Sequence, residues 1–216
     1  MEKIIPAFEK SMFDAKLKDA GMDMTKLGID ALLDDGILQS IPIVKLLVGV
    51  GKTAQNIHDR NLLKQTINFI NTFNSRVISL EKIEKYRCKL FENPSFAEKE
   101  LGRVIILLNS YIDLSKSKLL AIFYSAYVNE IIVWDKFCEL SDVVSRLFIS
   151  DLTLLREIYC QRITNTDQCE PYQAERLISI GLLDSSVKSL SIGGPGSKLQ
   201  KHLHVSSLGS LFCSMI

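Results

Sequence analysis

The chain has no apolar run long enough to cross a bilayer. Its most apolar early stretch, Ile41 to Val50, contains Lys45 and reaches about half of the roughly 20 residues that a spanning helix needs. The amino terminus, MEKIIPAFEKSMFDAK, lacks the basic segment, apolar core and small-residue cleavage site of an export signal, so secretion is not expected. A cysteine framework is missing too. Cys88, Cys138, Cys160, Cys169 and Cys213 are an odd number at irregular spacings, in a chain of 216 residues that is large enough to bury a full core. Reduced thiols in a cytoplasmic setting, without a structural disulfide, are the expectation. Nor is there an excess of charge of either sign. With 26 basic and 25 acidic residues the net charge is +1, so no global field draws the protein toward nucleic acid or an anionic membrane.

What the sequence has in quantity is helical periodicity. From Ala7 to about Tyr159 apolar residues recur at three and four, the spacing of one helical face. Helices are predicted over Ala7 to Ala20 and over Asp23 to Asp35, the second capped by Asp23 or Thr25 and stopped at Gly36. Ser40 before Ile41-Pro42 predicts the start of another, running toward Asp59, and NLLKQTINFINTFNS continues with Leu62, Ile67, Ile70 and Phe73 on a shared side. The charged segment SLEKIEKYRCKLFENPS must end its helix before Pro94, and Ser95 with Glu98 forms a capping box for the next. Three further stripes follow: Val104, Leu107, Leu108 and Tyr111; Leu119, Leu120, Phe123, Tyr124 and Tyr127; Phe137, Leu140, Val143, Val144 and Leu147. They predict consecutive antiparallel helices of a bundle.

After DLTLLREIYCQ the pattern changes. A polar stretch, RITNTDQCE, precedes Pro171, which opens a short helix ended near Gly181. Alternating residues on either side of Gly193-Gly194-Pro195-Gly196 predict a β-hairpin, and LGSLFCSMI a closing helix.

Several stretches imitate chemistry. LLVGVGKTAQ ends, at Gly51-Lys52-Thr53, like a phosphate-binding loop, but such a loop needs a first glycine where this chain has Leu46. Asp135 in EIIVWD imitates a magnesium-binding strand, yet it stands within a helical stripe and reads as a helix start. An NTPase is therefore not expected. Cys160, Cys169, His202 and His204 match no closed zinc module, and no metal site is expected. Asp30, Asp34 and Asp35 have no His or Glu cluster to complete a catalytic or cation site, and no serine or cysteine stands in a nucleophile motif. The expectation is a protein without catalytic residues and without a cofactor.

Charge is unevenly distributed along the chain. Residues 1–40 carry five basic and eight acidic side chains, net −3, whereas residues 41–90 carry nine and three, net +6. Two helices neutralising each other within one bundle account for this. The alternative is a peripheral membrane or partner contact made by Ile41, Ile43, Lys45, Leu46 and Leu47.

The run YQAERLISIGLL, the glycine-rich hairpin and HLHVSSLGSLFCSMI together resemble the back half of a winged-helix domain, with Ser206, Ser207, Leu208 and Gly209 in the place of that family's Thr-x-x-Gly helix and DLTLLREIYCQ as its first helix. The resemblance covers about 65 residues and implies either DNA binding or protein contacts. The DNA-reading residues would be Gln173, Arg176, Lys198, Lys201, His202 and His204. Residues 151–216 hold six basic and six acidic side chains, however, a neutral balance that suits protein contact better than phosphate neutralisation. The SKSKLLAIFYSAYVNEIIVWDKF stretch is similar to the helical fold of tellurite-resistance proteins. The whole arrangement resembles bacterial helical proteins, some grouped with abortive-infection or phage-defence systems. The chain is thus expected to be mainly α: a multi-helix bundle over residues 1–150, then a small winged-helix-like α+β module over residues 151–216 with one β-hairpin. Its expected function is non-enzymatic protein binding in phage defence or stress response, with DNA, a membrane surface or a second copy of the chain as other partners.

Overall fold

The computed structural model describes residues 4–14, 40–48, 57–187 and 201–216. Among them the chain is mainly α-helical, with ten α-helices and one two-stranded antiparallel sheet near the C-terminus. No helix among the described residues is long and apolar enough to cross a membrane. The chain divides into two compact units, Met1–Cys138 and Glu139–Ile216. The division lies earlier than the residue 150 expected from sequence, because it falls inside a continuous helix where no Pro, Gly or polar break marks it.

In the first unit, α1 (Ile4–Met12) starts earlier than its apolar spacing suggested and ends before residue 20. Pro6 fits within its first turn, where a backbone amide has no intrahelical partner to lose. Then α2 (Pro42–Val48) begins with proline at its first position. The Ile43 amide donates to the distant Ser11 Oγ at 2.9 Å, and that hydroxyl donates to the Ala7 carbonyl at 2.7 Å. The expected continuation of this helix, the Gly49–Thr53 stretch and the acidic helix around Asp30 lie outside the described residues. Ile57 to Asp59 belong to the next helix, α3 (Ile57–Ser75), rather than to the end of the previous one.

Two helices follow with one residue between them, α4 (Leu80–Glu92) and α5 (Pro94–Ser110). The capping box of Ser95 and Glu98 is replaced by Asn93, whose side chain accepts the Phe96 amide at 3.0 Å with Pro94 at the first helical position. Asparagine caps well, and proline loses nothing there. Next comes α6 (Leu114–Val128), capped by Asp113 Oδ1 accepting the Ser115 amide at 2.8 Å. The expected single stripe is an understatement. Leu119, Ala121, Ile122, Tyr124, Ser125 and Val128 are all buried, so from Leu119 to Ala126 α6 is enclosed on every side.

The main neighbour of α6 is α3, and the two run in the same direction. Asn61 Nδ2 donates to the Tyr111 carbonyl at 2.7 Å, Gln65 Nε2 to the Ile112 carbonyl at 3.0 Å, and Asn68 Nδ2 to the Leu114 carbonyl at 2.8 Å and to Ser117 Oγ at 2.9 Å. Further along, Phe69 and Phe73 lie against Tyr124, with ring centroids 5.7 and 5.9 Å apart. The two are not successive: α5 runs back between them, its Glu100 meeting Tyr127 near the end of α6 and the Tyr111 that follows it meeting Asn61 near the start of α3. Then α7 (Trp134–Arg146) spans the division, with Phe137 in the aromatic core of the first unit.

In the second unit, Leu140, Val143, Val144 and Leu147 are buried as their spacing predicted. After them come α8 (Asp151–Tyr159), a 3-10 turn (Thr166–Gln168), α9 (Pro171–Ser179), β1 (Leu183–Ser186), β2 (His202–Val205) and α10 (Ser207–Met215). The strands pair antiparallel with Leu183 opposite Val205 and Ser186 opposite His202. The glycine-rich tip between them lies outside the described residues. After α9 the chain turns at Gly181, whose φ of +79° is cheap only for glycine. Ser206 Oγ accepts the Gly209 amide at 2.9 Å and donates to the Gly181 carbonyl at 2.6 Å, while the Ser206 amide donates to the Leu182 carbonyl at 3.1 Å. Gly209 sits so close to that carbonyl that a Cβ would lie 2.0 Å from its oxygen and 2.7 Å from Val205 Cγ1.

Gly209→Ala is expected to cost roughly 3 kcal/mol or more, since main chain cannot yield as a side chain can. Ser206→Ala should cost about 1 kcal/mol through the lost cap. Urea denaturation of both variants measures the difference, and equal losses would show that the contact at Gly209 relaxes.

Candidate functional site

The residues that the sequence nominated for DNA are mostly committed elsewhere. Asp151, at the first position of α8, is 1% exposed. Arg176 on α9 meets it in a fork, with Nε 2.8 Å from Oδ2 and Nη2 2.6 Å from Oδ1, and Gln173 Nε2 adds a third hydrogen bond at 3.3 Å. This carboxylate raises the Arg176 pKa still further by hydrogen bonding. The guanidinium also lies 4.6 Å from the Phe148 ring centroid and 4.9 Å from that of Tyr172, which places a planar cation against two aromatic rings. Phe148 and Tyr172 are both more than half exposed.

Lys201 is similarly occupied, its Nζ donating to Glu175 Oε1 at 2.7 Å. His202 stands in β2, where it also bridges to Asn165, and His204 is exposed opposite Asp184. Lys198 lies outside the described residues. Cys169 Sγ is directed at the carbonyls of Asn165 and Thr166, with its thiol pushed up by burial. Among the described residues no three His, Cys, Asp or Glu side chains gather as a metal ion would require.

The segment nominated for membrane or partner contact is divided. Ile41 and Ile43 are buried in the first unit and are not offered to a surface, while Lys45 and Leu46 are exposed and Leu47 is partly so. A core needs the isoleucines, and Ser11 fixes their helix in place.

A second arrangement, absent from the sequence reading, lies inside the first unit. Glu100 on α5 is 2% exposed and accepts the hydroxyls of Tyr86 on α4 at 2.7 Å and Tyr127 on α6 at 2.6 Å. The Tyr86 and Tyr124 hydroxyls are also in contact. Each phenol has one proton. Because Tyr86 spends its proton on Glu100, Tyr124 donates to Tyr86, and the chain of bonds is complete with an ionised carboxylate. Burial pulls the other way and raises the Glu100 pKa, opposed by the two tyrosine hydrogen bonds and by Lys89 and Lys99. All three tyrosines are held above their ordinary pKa, first by burial and then by interactions with the groups around them, Glu100 among them. Sequence spacing gave no sign of this, since Glu100 stands among the charged residues that open α5.

Comparison of the chain with protein-family models, with curated proteins and with solved structures found no match.

Glu100→Ala is expected to cost roughly 2 kcal/mol, because the buried Tyr86 hydroxyl and the half-buried Tyr127 hydroxyl lose their acceptor. Glu100→Gln should stay within about 1 kcal/mol of wild type, because an amide oxygen still accepts and the Tyr86–Tyr124 bond can reverse. A raised folded-state pKa means that Glu100 favours folding most below its unfolded value near 4.5. Wild-type stability relative to Glu100→Gln should therefore fall as the pH rises through the raised pKa. Chemical denaturation at intervals from acid to neutral pH checks this, and a difference rising with pH would reverse the assignment.

Proposed function

We propose that this protein acts by binding another protein, in the phage-defence or stress setting that its resemblance implies, and that its C-terminal unit supplies the contact face. The observation that carries this reading is the stack of Phe148, Arg176 and Tyr172 over buried Asp151. Arginine and tyrosine are enriched among the residues that dominate protein interfaces, and exposed aromatic rings held rigid by their neighbours lose little entropy on binding. Here Asp151 orients the guanidinium, and the guanidinium holds both rings in place.

The same contacts speak against duplex DNA as the ligand of this face. A helix that reads a groove needs free cations, and each phosphate neutralised contributes to a steep salt dependence. Arg176 and Lys201 already carry carboxylate partners, which leaves the face close to neutral.

Affinity capture of partners by wild type and by the Phe148→Ala/Tyr172→Ala double variant tests the reading. A specific protein partner is expected, held about tenfold or more weakly by the double variant, whose helices remain intact by circular dichroism. If the variant captures the same protein equally well, or if the wild type binds duplex DNA far more tightly than the micromolar range of generic contacts at physiological salt, this proposal fails.

A further inference from the structure

The sequence of α4 places Lys82, Lys85 and Lys89 at i, i+3 and i+7, on one face of the helix. That face borders an open cleft of about 400 Å³ in the first unit, whose other wall is the end of α6 and the start of α7. Lys82 Nζ donates to the Asn129 carbonyl at 2.6 Å, Lys85 Nζ to Glu130 Oε1 at 2.7 Å, and Lys89 Nζ lies 3.9 Å from the Phe96 ring centroid. Tyr127 and Trp134 line the cleft with half-buried rings whose centroids are 5.2 Å apart. The cleft therefore combines three ammonium groups with two aromatic walls.

Among the described residues Glu130 is the only carboxylate lining it, and its backbone is unusual. It closes α6 with φ +56°, the left-handed position at which glycine is preferred. The Glu130 amide donates to the Tyr127 carbonyl and the Ile131 amide to the Ala126 carbonyl, each at 2.9 Å. A side chain kept at a position that disfavours side chains is explained by what it reaches, which is Lys85 at 2.7 Å and Lys82 at 3.9 Å. An anionic oxygen thus already stands between Lys82 and Lys85, with Lys89 one turn further along α4. In the lining three ammonium groups face one carboxylate, with Glu81 beside Lys85 on α4 and Glu100 set behind the tyrosine hydroxyls.

We propose that this cleft binds a small soluble phosphate monoester with a flat ring body, the phosphate held by Lys82, Lys85 and Lys89 and the ring lodged against Tyr127 and Trp134. Lysines arriving from successive turns of one helix serve as point-charge donors to a dianion with several oxygens, and a cleft of this volume accommodates a single ring system. Glu130 acts as an internal competitor for the same lysines, so the ligand displaces it on entry.

Trp134 is the only tryptophan in the chain, so its fluorescence reports on the cleft directly. Titration of the full-length protein with phenyl phosphate is expected to give a saturable change at or below about 1 mM. Lys85→Ala/Lys89→Ala, both at exposed positions, should weaken it about tenfold or more, and Glu130→Gln should strengthen it severalfold. No saturable change, an equal response in the double lysine variant, or an equal response to phenol would each overturn the proposal. A response to phosphatidic acid vesicles but not to phenyl phosphate would overturn it in favour of a lipid headgroup site.

Discussion

The parallel course of α3 and α6 is the constraint from which the first unit follows. Two helices that lie side by side in the same direction cannot be joined by a short turn, so the chain must return along their full length before the second begins. Here α5 makes that return, after α4 and the corner at Asn93. Tyr86 and Glu100 are each seven residues from Asn93, and the corner brings them together. Parallel packing then delivers Tyr124 and Tyr127 to the same place. The carboxylate network and the lysine face of α4 are both products of one topological necessity.

The polar side chains of α3 make that pairing specific. Asn61, Gln65 and Asn68 recur at i, i+4 and i+7 and hold carbonyls at the entry to α6, those of Tyr111 and Ile112 in the loop and that of Leu114 at the first helical position. An apolar stripe alone would let two helices slide along each other. Amide groups that each require a particular carbonyl fix their relative height as well as their direction. In the second unit Arg176 and Asp151 play a comparable part with opposite chemistry. One buried carboxylate is satisfied by a guanidinium fork and the other by neutral phenols. The first is a strong pair at an exposed edge, whereas the second is enclosed and leaves Glu100 with a raised pKa.

Helix positions were largely legible in the sequence, because apolar residues at three and four record burial directly. The stripes of Leu62, Ile67, Ile70 and Phe73, and of Phe137 to Leu147, are buried as read. Pro171 and Gly181 marked the limits of α9 through their own backbone geometry. What was illegible depends on partners distant in the chain. Ser11 caps a helix 32 residues away, and Arg176 answers a carboxylate 25 residues before it. The α3 amides resemble a solvated face until the loop they bind is known. Gln173 and Arg176 were singled out for their chemistry, which is real, but their hydrogen bonds are spent within the fold. Glu100 is illegible for another reason, since one charged residue among several carries no local mark of enclosure.

The seat of α10 has a consequence for how this chain can vary. Its third residue rests against the Leu182 main-chain oxygen, and its cap is held by that same oxygen and by the Gly181 carbonyl. Those contacts would survive almost any exchange of neighbouring side chains. A shift of the helix by a single position would bring Leu208 or Ser210 to a place with no room for a Cβ. The alignment of the last helix is therefore keyed to the backbone by a hydroxyl and a hydrogen atom three residues apart, which leaves its outward-facing residues at liberty to drift.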